Sequence, residues 1–310
     1  MKLTVIVITY NHERFIAQAL ESVLMQKVNF EFEVVISEDR STDRTRQIVT
    51  EFARSNPSKI RLLLSQYNLH SNEVVVRAIQ ASQGQYVALL DGDDYWTSAD
   101  KLQKQVDFLD NHPECSVCFH NAQVVHEDGS RSPWNWTSAN QKEFSTLEDI
   151  WMDNFIAACS TMFRKGLIVT FPQWYNSLFP ITDWPLHILN AEHGKIGYIN
   201  EVMGVYRYHR GGLYSSLSEV RKLDETLSFY ETMDVNLKYR YHEIIRKAIF
   251  SYFHDWAEEY ALRGDFANAK MCFRRCFKGI VLTDRGRVKK LFRLGLRLHF
   301  PQYLSCQKPS

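Results

Sequence analysis

No apolar run in this 310-residue chain approaches the roughly 20 residues that a membrane-spanning helix needs, which argues against a helical membrane protein. A charge excess of either sign is also lacking. Lys plus Arg total 37 and Asp plus Glu 36, for a formal net charge of +1. Nothing global therefore marks a binder of polyanions, and nucleic acid is not an expected partner. Zinc-type cysteine sets are missing too. The cysteines are Cys115, Cys118, Cys159, Cys272, Cys276 and Cys306, and the C-x-x-C spacing of the first two has no second pair nearby. They read as buried free thiols of a reducing compartment. Met1-Lys2 leads straight into a strand pattern with no signal peptide, so a cytoplasmic setting is expected, where the Asn135-Trp136-Thr137 sequon carries no weight. The chain is 45% hydrophobic, enough for one large domain with a substantial core plus an appendage.

What is present begins with strands that alternate with helices. Leu3-Thr4-Val5-Ile6-Val7-Ile8-Thr9 is a nearly continuous apolar run, as in a parallel strand buried on both faces. An amphipathic helix follows over about 13–26, with Phe15, Ile16, Ala19, Leu20, Val23 and Leu24 on one face. A second strand, 32–39, ends in Glu38-Asp39, and Ser41, Thr42 and Asp43 can cap a helix running to about residue 53. Residues 60–64 read as a third strand and 73–82 as a third helix. The fourth strand, Tyr86-Val87-Ala88-Leu89-Leu90, runs into Asp91-Gly92-Asp93-Asp94. This alternation implies right-handed crossovers and a largely parallel sheet. Thr9-Tyr10-Asn11, Glu38-Asp39 and the Asp91 cluster should then meet at one rim, where ligands of open α/β sheets bind. Three adjacent carboxylates repel one another. A hard divalent ion, Mg²⁺ or Mn²⁺, is their natural counter-charge, and such ions often hold substrate phosphates. An acidic turn before a helix remains the plain alternative on these residues alone.

Taken together, the motifs resemble those of the family 2 inverting glycosyltransferases with a GT-A fold. The matching segments are Val7-Ile8-Thr9-Tyr10-Asn11, residues 33–43, residues 84–94 with their D-x-D element, Thr182-Asp183-Trp184, and residues 205–212. The resemblance covers roughly the first two thirds of the chain. It implies an α/β fold with a mostly parallel sheet flanked by helices, followed by an all-α C-terminal extension. Residues 1–218 would form the catalytic domain, with 1–112 binding the nucleotide sugar and 113–218 the acceptor. Residues 219–310 would form the helical region with its basic tail.

By the same resemblance, Thr9, Tyr10 and Asn11 belong to the nucleotide-sugar site. Tyr10 packs on the base and Asp39 accepts a hydrogen bond from it. Asp91 approaches the ribose or sugar, and Asp93 ligates an Mn²⁺ or Mg²⁺ ion that bridges the diphosphate. Asp94 contacts the sugar or supports its neighbours. Asp183 is the general base, which takes the proton of the attacking hydroxyl. Thr182 stands where the family commonly has Glu. Glu38 and Arg40 stand where many members have Asp and Gly. Arg207 and Arg210 could neutralise phosphate oxygens, and His209 could ligate the metal or donate to the diphosphate. Gly211-Gly212 suggests a loop able to close.

Between these motifs the readings are structural. Thr97 or Ser98 should cap a helix carrying Leu102, Val106 and Leu109 in the core. Residues 117–126 read as a strand, 127–130 as a turn, and 132–137 as a loop exposing Trp134 and Trp136. Those indoles could meet an acceptor or pack beneath the loop. Ser145-Thr146-Leu147-Glu148 reads as a capping box. Thr182 reads as an N-cap, Gly194 as the end of that helix, and 197–206 as a strand.

From about residue 219 the pattern is helical. Residues 241–262 and 266–277 flank a break at Arg263-Gly264-Asp265, a single hairpin of tetratricopeptide type that is too short for an array. Residues 285–300 place Val288, Leu291, Phe292, Leu294, Leu296, Leu298 and Phe300 among Arg287, Lys289, Lys290, Arg293 and Arg297. Such a helix either lies on an anionic membrane or packs on the protein.

The expectation is a metal-dependent transferase moving sugar from a UDP- or other nucleoside-diphosphate donor to a hydroxyl of a glycan or lipid-linked acceptor. By family analogy the setting is cell-surface polysaccharide or lipopolysaccharide assembly, in the cytoplasm and, if the tail binds lipid, at the inner face of the plasma membrane. Two rivals are kept. A nucleotidyltransferase making a nucleotide sugar shares the metal acids, but no glycine-rich basic loop follows the first strand. A non-catalytic nucleotide- or sugar-binding module would bind without turnover.

Overall fold

Strand β1 (Leu3–Thr9) lies between β2 (Phe32–Glu38) and β4 (Tyr86–Asp91), with β3 (Ile60–Leu64) beyond β2. All of these pairings are parallel. Helices α1 (Ile16–Leu24), α2 (Thr45–Ser55) and α3 (Glu73–Ala81) make the crossovers. The unbroken apolar runs have the cause inferred for them: β2 is buried along its whole length and β1 at every position but Ile8. The protein is seen in a computed structural model that describes residues 1–280 and 284–299. Phe300 and Cys306 lie outside the described residues.

The sheet continues through β5 (Tyr95–Trp96), β6 (Cys115–His126), β7 (Trp134–Asn135), β8 (Phe144–Ser145), β9 (Met162–Arg164) and β10 (Lys195–Tyr208). Its order is β3-β2-β1-β4-β9-β6-β10-β5, with β7 on β6 and β8 on β10. Between these strands lie α4 (Lys101–Asn111), α5 (Leu147–Met152), α6 (Gln173–Asn176) and α7 (Asp183–Ala191). Register fixes the rim. Thr9 pairs with Glu38 and Ile8 with Asp91, so the first, second and fourth strands end level. Gly84 permits the approach to β1, because a Cβ there would lie 2.4 Å from the Thr4 nitrogen.

Several local readings shift. Helix α1 starts at Ile16 rather than near residue 13, because residues 12–15 form a turn in which the His12 carbonyl accepts from Phe15 and Ile16. Helix α4 starts at Lys101, and Ser98 Oγ instead accepts from the Asp100 N–H, one turn before the helix proper. The capping box is one residue on: Thr146 and Asp149 exchange hydrogen bonds, with Thr146 N–H donating to Asp149 at 2.9 Å. Thr182 precedes α7 but makes no side-chain cap bond. Helix α7 ends at Ala191, and Gly194 serves close packing, since a Cβ there would lie 2.7 Å from the Glu114 carbonyl.

The chain divides into two compact units, Met1–Ile150 with Asn154–Leu217, and Trp151–Asp153 with the chain from Ser218 onward. The second holds α8 (Glu219–Asn236), α9 (His242–Leu262), α10 (Phe266–Gly279) and α11 (Arg285–His299). Ser218 caps α8 and Asp265 caps α10 through their side chains, and Gly264 takes the left-handed turn between α9 and α10 at φ +77°. In α11, Leu291, Leu294 and Leu298 are buried, while Phe292 and Leu296 are exposed. The five described cysteines are free and buried. Among the described residues no helix is long and apolar enough to cross a membrane.

Candidate active site

The rim of β4 carries Asp91, Gly92, Asp93 and Asp94 in a tight turn, closed by Asp94 N–H donating to the Asp91 carbonyl at 3.0 Å. Gly92 cannot be larger without cost. A Cβ there would lie 2.6 Å from Thr9 Oγ1 and 2.9 Å from His12 Nδ1. The bare glycine makes room for a histidine that motif reading missed. Asn11 sits at φ +55° and turns the chain back, so His12 returns to the rim. His12 Nδ1 lies 3.3 Å from Thr9 Oγ1, and its Nε2 lies 3.5 Å from Asp93 Oδ2. His209 Nε2 reaches the same Asp93 oxygen at 3.0 Å. One carboxylate thus faces two imidazoles, from opposite ends of the first compact unit.

Electrostatics separate the three acids. Burial, then the charges of Asp93 and Asp183, push the Asp91 carboxyl up to about 8. Burial, then Asp93 and Asp91, push Asp94 well above the usual carboxylate range. Burial would raise Asp93 as well, but His12 and His209 outweigh it and hold Asp93 below that range. The donor set fits a hard divalent cation by two observations. The carboxylate oxygens of Asp91, Asp93 and Asp94 lie within 4.8 Å of one another, and Asp94 Oδ2 is buried without a hydrogen-bond partner. A cation among them would offset the repulsion that raises Asp91 and Asp94.

Arg207 and Asp94 lock β10 to this turn. The Arg207 N–H donates to Asp94 Oδ1 at 2.8 Å, and its guanidinium donates to the Asp93 carbonyl at 2.6 Å and to Gln18. The same guanidinium lies 4.4 Å from the Tyr95 ring centre and 4.9 Å from that of Phe15. The Gly211-Gly212 turn after His209 is tied in place, with Ser215 Oγ donating to the His209 carbonyl at 2.9 Å.

The neighbouring strand ends are braced as well. Asn11 Oδ1 accepts from the Thr42 N–H at 2.8 Å, and Asn11 N–H donates to Ser41 Oγ at 3.0 Å. Asp39 is buried and accepts from Ser65 Oγ at 2.9 Å and from Leu69 N–H at 3.0 Å. Its carboxylate therefore shapes the 65–69 loop. Tyr10 is exposed beside it, edge-on to His70 with ring centres 6.5 Å apart. Arg40 occupies a left-handed conformation, φ +63°, which explains glycine as the easier residue there. Glu38 is fully buried and ion-paired to Arg46, so it is a structural acid.

Asp183 opens α7 and is the fourth acid of the site, near enough for its charge to raise Asp91. Asn154 Nδ2 donates to Asp183 Oδ2 at 3.2 Å. His187, one turn on, lies 3.8 Å from that oxygen, and its burial pushes its imidazole down to about 4, so it is neutral at pH 7. The loop before Asp183 is pinned by the residue that precedes α3. Buried Asn72 donates to the Tyr175 and Ile181 carbonyls at 2.9 and 3.0 Å, and Tyr175 Oη donates to the Thr182 carbonyl at 2.8 Å.

Comparison with known proteins gives the family and the fold. The sequence model of glycosyl transferase family 2 matches residues 4–171, and the chain belongs to that family. An uncharacterized protein of Mycobacterium tuberculosis is 36% identical over 229 residues, 72% of this chain and 64% of the relative, so the chain spans about 64% of that relative's length. Among solved structures, Staphylococcus aureus TarS residues 1–349 with UDP-GlcNAc is similar at a TM-score of 0.57 and 19% identity, over 91% of this chain and 93% of that one. A curated description names TarS a poly(ribitol-phosphate) beta-N-acetylglucosaminyltransferase. The mannosyltransferase PcManGT of Pyrobaculum calidifontis, with GDP-Man and Mn²⁺, is similar at a TM-score of 0.59 and 17% identity, over 97% of this chain and 82% of that one. The fold is thus of the GT-A type, a mostly parallel sheet flanked by helices, with a helical region after it.

Proposed function

We propose that the chain is a metal-dependent glycosyltransferase that moves a sugar from a nucleoside-diphosphate donor to an acceptor hydroxyl with inversion, acting in cell-surface glycopolymer assembly. The carrying observation is the turn of Asp91, Asp93 and Asp94, whose carboxylate oxygens lie within 4.8 Å of one another and whose Asp93 meets His12 and His209, from segments far apart in sequence. Support for the donor class comes from the nucleotide sugars bound by TarS and PcManGT. Tyr10 and Asp39 receive the base, with Thr9 and Asn11 holding the strand end that presents them. Asp91 faces the ribose or sugar. Asp93, with His209 beside it, would hold an Mn²⁺ or Mg²⁺ ion, and Asp94 and Arg207 fix the turn that carries Asp93.

In this reading Asp183 accepts the acceptor's hydroxyl proton. The acceptor oxygen forms its bond to the anomeric carbon as the bond from that carbon to the diphosphate oxygen breaks. The nucleoside diphosphate departs on the opposite face. A bound Mn²⁺ or Mg²⁺ supplies charge stabilisation for that leaving group. A panel of UDP- and GDP-sugars should contain a donor from which the full chain releases nucleoside diphosphate only with Mn²⁺ or Mg²⁺. Nucleotide binding with no release from any donor would leave a binding module instead.

The same reading places the enzyme at an anionic membrane face. Lys289, Phe292, Arg293 and Leu296 are exposed and recur at helical spacing along α11, opposite its buried leucines. Each basic residue near an anionic surface contributes about 1 kcal/mol. Lys289→Glu with Arg293→Glu should abolish sedimentation with phosphatidylserine vesicles at low salt and leave the fold intact. Equal sedimentation of both proteins, or no preference for anionic over neutral vesicles, would reduce α11 to a packed structural helix.

A further inference from the structure

Beside the acids, the catalytic unit carries an aromatic strip that the mechanism has not used. On adjacent strands Trp134 pairs with Val124 and Val124 with Tyr206, so the three side chains project from one face of the sheet. Trp136 follows across the edge. Its ring centre lies 5.2 Å from that of Tyr206, and 6.3 Å from that of Trp134 with the two indoles nearly parallel at 13°. Exposure grades along the strip. Tyr206 and Trp136 are half-buried against the core, whereas Trp134 is 47% exposed. The inner end is the catalytic one. Tyr206 directly precedes Arg207, whose backbone N–H donates to Asp94 Oδ1 at 2.8 Å, so the inner end of the strip adjoins the acidic turn.

We propose that Trp134 and Trp136 form an acceptor subsite for a saccharide, with a pyranose ring seated on the outer indole and the next sugar carried towards Asp183. This deepens the glycosyltransferase reading and rests on it. The chemistry favours a sugar over an acyl chain. A pyranose offers a flat C–H face that complements the electron-rich face of an indole, and hydroxyls at its edge. An aromatic strip whose inner end adjoins the acidic turn suits such a mixed surface. An acyl chain would need a wider apolar patch and would gain nothing from the acids. Trp134 also lies on a two-residue edge strand, where a ligand can reach it without disturbing the core.

The test uses the full chain with Mn²⁺ and UDP, probed on an array of bacterial polysaccharide fragments and on neutral phosphatidylcholine vesicles. Trp134→Ala should weaken saccharide binding by about 10-fold, Trp134→Phe should retain most of it, and the UDP affinity should stay unchanged. With a turned-over donor, Trp134→Ala should raise the acceptor KM and leave donor hydrolysis alone. The proposal is overturned if the wild-type protein binds no array saccharide, if Trp134→Ala binds as the wild type does, or if Trp134 proves to hold vesicles instead. Failure of the underlying reading is separately visible, because the wild-type protein would then release no nucleoside diphosphate from any donor.

Discussion

Asp183→Asn is expected to slow sugar transfer by about 10²–10⁴-fold while leaving donor affinity nearly unchanged. The amide keeps the shape of the side chain, and its carbonyl oxygen can still accept from Asn154 Nδ2, which now sits 3.2 Å from Asp183 Oδ2. What it loses is the ability to take a proton from the acceptor. No neighbour replaces it. His187 lies 3.8 Å from Asp183 Oδ2, but it is fully buried and held neutral, with its imidazole pushed down to about 4. Donor binding should not suffer, because the Asp183 charge raises Asp91 and its removal eases that repulsion. The check is calorimetric titration with the nucleoside diphosphate beside initial rates at saturating donor. A collapse of affinity with turnover preserved at saturation would move Asp183 from catalysis to binding. The backbone around the site should hold, since Asn72 and Tyr175 pin the preceding loop through main-chain carbonyls.

The parts of the site that were legible in sequence are those set by local alternation. Strand runs buried on both faces announce themselves, and parallel register then brings Thr9, Glu38 and Asp91 level. Family resemblance carried Asp183, which no local pattern singles out from an ordinary acid at a helix start. Residues whose role depends on tertiary approach were not legible. His12 reaches Asp93 only because Asn11 turns through a left-handed φ and Gly92 leaves space. A histidine one position past the first motif was the available signal. Asn72 and Tyr175 gave none, since a buried amide that donates to two distant carbonyls looks like any polar residue before a helix. The caps moved for a similar reason. Ser, Thr and Asp residues cluster before each helix, and backbone geometry, not composition, chooses Thr146 with Asp149 over Ser145 with Glu148. In α11 the apolar pattern was clear, but only packing separates buried Leu291, Leu294 and Leu298 from exposed Phe292 and Leu296.

Asp93→Ala is expected to lower nucleoside-diphosphate release by about 10³-fold and to remove its response to Mn²⁺. Of the three acids in the turn, burial and mutual repulsion favour the neutral form of Asp91 and Asp94. Asp93 alone is held below the usual carboxylate range, through His12 and His209. It is therefore the carboxylate already charged to receive a cation. The substitution removes function without removing scaffold. Arg207 anchors to the Asp93 carbonyl, not to its side chain, so that 2.6 Å bond survives in alanine. The neighbouring acid gives the contrast. Asp94 Oδ1 accepts the Arg207 N–H at 2.8 Å, so Asp94→Ala should loosen β10 itself and lower the unfolding midpoint. Mn²⁺ titration followed by calorimetry and electron paramagnetic resonance, beside thermal unfolding, separates the two. The expected pattern is Asp93→Ala folded, without Mn²⁺ affinity and with turnover down by about 10³-fold. Wild-type turnover in Asp93→Ala, or in the unaltered protein under excess chelator, would remove the metal from the mechanism.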